Sequence, residues 1–165
     1  MDGDGRKDLL VGNVTAGNVS IYRNISSNGT LNASSFAPRV DVAVGPYPYG
    51  IAVGDMDGDG KLDIIATVNG NGTGNTVVVL RNQTAGPGPF NASAFAAPVP
   101  FTVAQGPTRI AVGDLDGDGK KDLAVSIAQG AGISVLRNTG TPGVVNAGTF
   151  APFVHYPTGP HSWDV

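Results

Sequence analysis

Ile51-Ala-Val-Gly-Asp-Met-Asp-Gly-Asp-Gly-Lys-Leu-Asp63 decides the reading of this chain, and it recurs almost unchanged as Ile110-Ala-Val-Gly-Asp-Leu-Asp-Gly-Asp-Gly-Lys-Lys-Asp122. A third copy, Met1-Asp-Gly-Asp-Gly-Arg-Lys-Asp8, lacks only its opening aspartate. Eleven of the 13 acidic residues fall in these three loops, and all 13 are aspartate. The repeat extends beyond the loops. Tyr22-Arg-Asn24, Leu80-Arg-Asn82 and Leu136-Arg-Asn138 follow each loop, and Phe36-Ala-Pro38, Phe95-Ala-Ala-Pro98 and Phe150-Ala-Pro152 follow those. Asp2 and Asp57 are 55 residues apart and Asp57 and Asp116 are 59 apart, a period that fits a β-propeller blade better than a helical repeat.

Within one repeat the apolar runs predict four short strands: Ile51–Val53, Ile64–Val68, Thr76–Leu80 and Val99–Val103. Their β-branched content and Gly/Asn punctuation support this. Pro100 makes the last an edge strand, because proline removes a ladder donor. The first two are expected to be buried on both faces. The repeats divide the 165 residues at about 1–53, 54–112 and 113–165, cutting inside each blade. The fold class is therefore all-β, a partial propeller of about three four-stranded antiparallel blades.

Composition agrees. With 25 glycines and 12 prolines the chain is too rich in helix breakers for long helices, and its 41% apolar content is enough for a packed core. No apolar run reaches the ~20 residues of a membrane-spanning helix. A net charge of −3 offers no basic footprint for nucleic acid, and zero cysteines exclude disulfides and thiolate metal sites.

The loop spacing points to a metal. Carboxylates at positions 1, 3 and 5, the carbonyl at 7 and the carboxylate at 9 supply most of an all-oxygen shell, which suits Ca²⁺ better than Zn²⁺ or Mg²⁺. The ligands are Asp55, Asp57, Asp59, the Lys61 carbonyl and Asp63 in one loop. In the next they are Asp114, Asp116, Asp118, the Lys120 carbonyl and Asp122. Asp2, Asp4, the Arg6 carbonyl and Asp8 form a third site lacking its first ligand. An EF-hand is rejected: position 12 is Ala66 or Val125 rather than glutamate, and the flanks read as strands.

These residues resemble the FG-GAP/VCBS family of repeats, best known from integrin alpha subunits and from microbial surface proteins. The resemblance covers essentially the whole chain. It implies four-stranded blades around an axis, Ca²⁺ between strands one and two, extracytoplasmic display, and a role in adhesion or ligand binding. The family's Phe-Gly element is Tyr49-Gly50 in one repeat, Thr108-Arg109 in the next and Ser162-Trp163 in the last, closer to the VCBS-type variant. The family's propellers have about seven blades, against three repeats here.

The functional expectation is a non-catalytic calcium-binding module of the cell surface or extracellular space, with a protein or glycan ligand. The complementary chain ends fit either a segment of a longer propeller or head-to-tail exchange, in which the strand His161–Val165 of one chain completes the first blade of another; a structural subunit that assembles by that exchange is the alternative function. A carbohydrate-binding part of a secreted enzyme is a third. Three near-identical cation cages lack the asymmetry that an acid–base pair needs. Eight Asn-x-Ser/Thr sequons, at Asn13, Asn18, Asn24, Asn28, Asn32, Asn71, Asn82 and Asn91, are glycosylation candidates, although loops rich in these residues would also produce them. Arg6-Lys7 and Lys120-Lys121 offset the acidic charge. Arg23, Arg81 and Arg137 are expected to hydrogen-bond between blades, His155 and His161 to lie on the surface, and Trp163 to be core. Tyr47 and Tyr49 are candidates for an exposed binding cluster.

Overall fold

The computed structural model describes residues 1–159 and residue 165. It is all-β, with three antiparallel sheets in chain order. The first contains β1 (Leu9–Asn13), β2 (Asn18–Tyr22) and β3 (Val40–Ala43), in that order. The second contains β4 (Ile51–Gly54), β5 (Asp63–Val68), β6 (Thr76–Leu80) and β7 (Val99–Thr102). The third contains β8 (Pro107–Gly113), β9 (Asp122–Ile127), β10 (Gly132–Leu136) and β11 (Val154–Pro157). The only helix among the described residues is a 3₁₀ turn at Ala92–Ala94. The up-and-down order places Pro100 on an edge strand, where its missing N–H disrupts no ladder.

Period-2 alternation stacks the sheets face to face. Ile64, Ala66, Val78, Leu80 and Phe95 of the second sheet pack against Val19, Ile21, Val42 and Val44 of the first. The intervening residues Ile65, Val77, Val79 and Phe101 pack the other way, against Leu123, Val125, Ile127, Leu136 and Phe150 of the third. A one-residue slip of register would exchange the two sets. Each fully buried aliphatic side chain contributes roughly 1.5–3 kcal/mol. Phe101 and Phe150 meet edge to face at 4.8 Å.

Burial on both faces belongs to β5 and β6 rather than to the first two strands of the repeat. In β4 no residue but Gly54 is buried, and Val53 is 39% exposed. β4 is an edge strand, whereas β5 and β6 have partners on both sides. Gly50 precedes β4 where a Cβ would collide with the Thr108 carbonyl of the third sheet, so glycine is what allows the sheets to approach there.

The recurring Arg-Asn and Phe-Ala elements meet in space. Asn24 pairs with Phe36, Asn82 with Phe95 and Asn138 with Phe150, extending the third and fourth strands of each repeat. The expected strand His161–Val165 and the core position of Trp163 lie outside the described residues, Val165 apart.

Candidate metal centre

The second and third acidic loops each join the first two strands of a repeat, the first leads into β1, and the loops curl around their own backbone N–H groups. In the loop between β4 and β5, Asp59 N donates to Asp55 Oδ1 (3.1 Å) and Asp57 Oδ1 (3.2 Å). Gly60 N donates to Asp55 Oδ2 (2.9 Å) and Lys61 N to Asp59 Oδ1 (3.0 Å). Gly58 and Gly60, at φ 72° and 83°, make this curvature accessible. The loop between β8 and β9 repeats the pattern: Gly119 N donates to Asp114 Oδ2 (2.9 Å), Asp118 N to Asp116 Oδ1 (3.2 Å) and Lys120 N to Asp118 Oδ1 (2.9 Å).

Three carboxylates converge in each of these two loops. One oxygen from each of Asp55, Asp57 and Asp63 lies within 4.8 Å of the others, and the same holds for Asp114, Asp116 and Asp122. Such all-oxygen clusters can hold a metal ion. Asp59 and Asp118 lie outside the converged sets. Asp59 Oδ2 is 3.0 Å from an Arg81 guanidinium nitrogen and 4.0 Å from the Lys61 ammonium. Asp2, Asp4 and Asp8 form no comparable cluster among the described residues. There Arg6 Nε donates to Asp4 Oδ2 (2.9 Å), and the Arg6 backbone N–H holds the Asp4 carboxyl below its usual range.

The ninth position is a structural clamp as well as a cluster member. Asp63, fully buried, accepts from Met56 N (2.9 Å) and Asn82 N (2.8 Å). Asp122 accepts from Leu115 N (2.8 Å) and Asn138 N (2.7 Å), and Asp8 from the Met1 amino group and Asn24 N (2.8 Å). Burial pushes the Asp63 carboxyl up to about 6 despite the two N–H donors that oppose the rise, with Asp57 and Asp59 adding to it. Two carboxylates ~4 Å apart repel by about 4 kcal/mol at an effective dielectric near 20, so a cation would relieve the crowding. Each clamped oxygen keeps a second lone pair for such an ion.

The arginines do not bridge blades as expected; they reach back to their own acidic loops. Arg81 Nε donates to Asp57 Oδ2, while Arg23 and Arg137 lie 3.7 and 3.8 Å from Asp2 and Asp116. Two of the neighbouring asparagines, Asn82 and Asn138, make bonds between sheets. Asn82 Nδ2 donates to Leu62 O (3.0 Å) of its own sheet and to Met1 O (2.8 Å) across the interface. Asn138 Nδ2 donates likewise to Lys121 O (3.0 Å) and Met56 O (2.9 Å). Gly88 N also donates to Asp2 Oδ2 (3.1 Å) and Gly143 N to Asp57 O (2.7 Å), so each of the first two loops is docked on the following repeat. The third has no such cover among the described residues, and Asp114 and Asp116 are exposed where Asp57 is buried. The recurrence of asparagine after a variable apolar residue and arginine was the available signal for this role.

The sequons sort by turn chemistry. In Asn24-Ile-Ser26, Asn32-Ala-Ser34, Asn82-Gln-Thr84 and Asn91-Ala-Ser93 the asparagine oxygen accepts the N–H two residues on, an Asx turn. Asn138 and Asn146 make the same turn to Gly140 and Gly148, with no hydroxyl and hence no sequon. Asn82 is fully buried with its amide nitrogen engaged twice, which leaves no place for a glycan. Asn13 donates to Asn18 Oδ1 and Ser20 Oγ (both 2.7 Å), while Asn28 and Asn71 are exposed. His155 is half-buried on β11 rather than on the surface, and its Nδ1 has no hydrogen-bond partner.

A family model described as the FG-GAP-like repeat matches residues 1–66 and 65–125, and one described as the FG-GAP repeat matches residues 106–149. No curated protein and no solved structure matches the chain.

Proposed function

Because this chain belongs to the FG-GAP-like repeat family, we propose that it is a calcium-binding, non-catalytic propeller module displayed outside the cell, acting in surface structure or adhesion. The observation that carries this reading is the twofold convergence of three carboxylates: Asp55, Asp57 and Asp63, then Asp114, Asp116 and Asp122. The donor set is hard and entirely oxygen, which favours Ca²⁺, and the ion would supply positive charge where Asp63 is otherwise driven toward its protonated form. Asp59 and Asp118, with the carbonyls of Lys61 and Lys120, are the further ligands proposed; Asp59 would exchange its Arg81 contact for the ion. A partial site is proposed at Asp2, Asp4, Asp8 and the Arg6 carbonyl.

Calcium would act here on structure. The clamp residues Asp63 and Asp122 each tie a loop to the third strand of their sheet, so an ion held by the same carboxylates stiffens the first three strands together. The two clusters have the same composition and neither contains a paired donor of different chemistry, which supports a non-catalytic role. No described helix is long and apolar enough to cross a membrane. A thermal melt of the chain with calcium, with magnesium and with chelator tests the proposal. Calcium is expected to raise Tm by several degrees over chelator, and magnesium by less; a melt indifferent to all three would refute it.

A second reading rests on the first sheet, which has three strands and leaves the outer edge of β1 without a partner among the described residues. An edge of that kind is a template for strand addition, and head-to-tail exchange between copies would fill it. Light scattering in calcium checks this: a compact monomer at micromolar concentration rules it out.

A further inference from the structure

At the end of the sheets opposite the acidic loops lies a groove of about 880 Å³ between the second and third sheets. Its walls come from the segment before β4, the β5–β6 turn, the start of β8 and the β9–β10 turn. Asn69 builds the wall: its amide nitrogen donates to Pro107 O (2.9 Å) across the sheets, and its oxygen accepts from Gly72 N (2.5 Å). The groups on the rim do nothing of the kind. Tyr49 is 45% exposed, and Asn71, Arg109 and Gln129 are exposed. None of these four side chains makes a hydrogen bond or ion pair among the described residues, whereas Arg81, Asn82 and Asn138 at the acidic end are all engaged.

The backbone at this end is held away from its preferred wells. Every non-glycine residue described with positive φ, namely Tyr47 (55°), Asn71 (58°) and Ala131 (43°), lies in a loop on this side. Such conformations persist where the surroundings over-determine them, and they cluster at binding sites.

We propose that this groove binds an acidic oligosaccharide, with Arg109 taking its carboxylate. The volume lies in the range of ligand pockets. Primary amides such as Asn71 and Gln129 both donate and accept, matching sugar hydroxyls that do the same. The Tyr49 ring offers a flat apolar face with a polar tip for a pyranose. Arg109 is the one charged residue lining the groove among the described residues, and its planar fork suits a single carboxylate. A peptide is disfavoured because the backbone N–H groups of Asn69, Gly70 and Gly72 are already bonded, to Tyr47, Pro46 and Asn69 carbonyls, so the wall offers no strand edge. The site shares no residue with the acidic loops; it rests on the adhesion reading only in giving that reading a ligand class.

Calorimetric titration of the full chain in millimolar calcium, with sialyllactose, lactose and a hexapeptide carrying one aspartate, tests the proposal. Sialyllactose is expected to bind at least about tenfold more tightly than lactose, in keeping with one charge-assisted bidentate contact. R109A should bring the two sugars level and Y49A should weaken both. R39A, which removes an arginine paired with Asp41 on the first sheet (3.2 Å), should change nothing. Equal binding of both sugars to the wild type, binding of neither, an R109A variant that keeps the preference, or a tighter peptide would each overturn it. Variant melts in calcium and chelator run alongside. A calcium-dependent melt without sugar binding sinks the groove alone, and sugar binding with a chelator-indifferent melt supports the groove while sinking the calcium reading.

Discussion

Replacing Asn138 by alanine is the sharpest probe of how the sheets are joined. Asn138 is 2% exposed and makes three side-chain bonds: to Met56 O (2.9 Å) on the second sheet, to Lys121 O (3.0 Å), and from Gly140 N (2.9 Å). At roughly 1 kcal/mol per bond, with the buried Met56 carbonyl left unpaired, N138A should cost about 3 kcal/mol. Asn24 is the internal control. It holds the equivalent place in the first repeat but donates only to Lys7 O (3.0 Å), makes no bond to another sheet among the described residues and is half-exposed. Water can replace much of what it loses, so N24A should cost about 1 kcal/mol. For a chain of this size 1 kcal/mol corresponds to about 2–4 °C, so the expected drops in Tm are about 6–12 °C and 2–4 °C. Far-UV circular dichroism melts in calcium, backed by urea titrations, measure both. Equal costs, or an N138A variant within about 1 kcal/mol of the wild type, would refute the assignment of the inter-sheet bond to this side chain.

Asp122 accepts two backbone N–H groups, so D122N turns one acceptor into a donor facing an N–H and should cost about 2–3 kcal/mol even in chelator. D118N, at an exposed carboxylate, should stay within about 0.5 kcal/mol there; chelator melts that rank the two the other way would contradict the clamp. Gly54 and Gly113 occupy equivalent places, yet a Cβ at Gly54 would sit 2.7 Å from Val112 Cγ1 while one at Gly113 meets nothing within 4 Å among the described residues. G54A should therefore lose about 1–3 kcal/mol by overpacking and G113A nothing, which urea titration would read directly. Asp63, raised to about 6 from 3.8, holds its proton more tightly folded than unfolded. Its contribution to metal-free stability is present below its unfolded value and is lost as pH rises through about 6. In chelator Tm should thus fall between about pH 4 and pH 6 and level off above that, and in calcium, which needs the carboxylate ionised, it should rise over the same window. A pH-independent Tm in chelator would contradict this.

Much of the architecture is readable from local pattern. The run Thr76–Leu80 is β6 to the residue, and the alternation of Ile64 and Ile65 or Val78 and Val79 already marks two faces that both need covering. The aspartate spacing also places Asp55, Asp57 and Asp63 together, because a tight glycine loop between paired strands leaves them little else to face. What is not readable is competition. Whether Asp59 turns inward depends on Arg81, whose reach back across its own sheet no spacing reveals. The same reach misdirects the reading of the arginines, since a long charged side chain at a strand end can serve either neighbour. The apolar residues of the half-exposed β4 match those of a central strand, so the sequence alone does not reveal its edge position, which is a property of the sheet. The Asx turns were in principle visible: Asn138-Thr-Gly140 keeps the turn without the hydroxyl, which separates the structural need for asparagine from a sequon.

The proposed role of Ca²⁺ stands on two clusters of three carboxylates. Calorimetric titration of calcium into the chelator-stripped chain tests it most directly, together with D57N and D116N, which each remove one member of a different cluster. Two principal sites per chain are expected, with affinities of about 10⁻⁴ to 10⁻³ M as in extracellular modules. Each substitution should abolish one site and leave the other. Absence of binding, or a stoichiometry that neither D57N nor D116N changes, would contradict it.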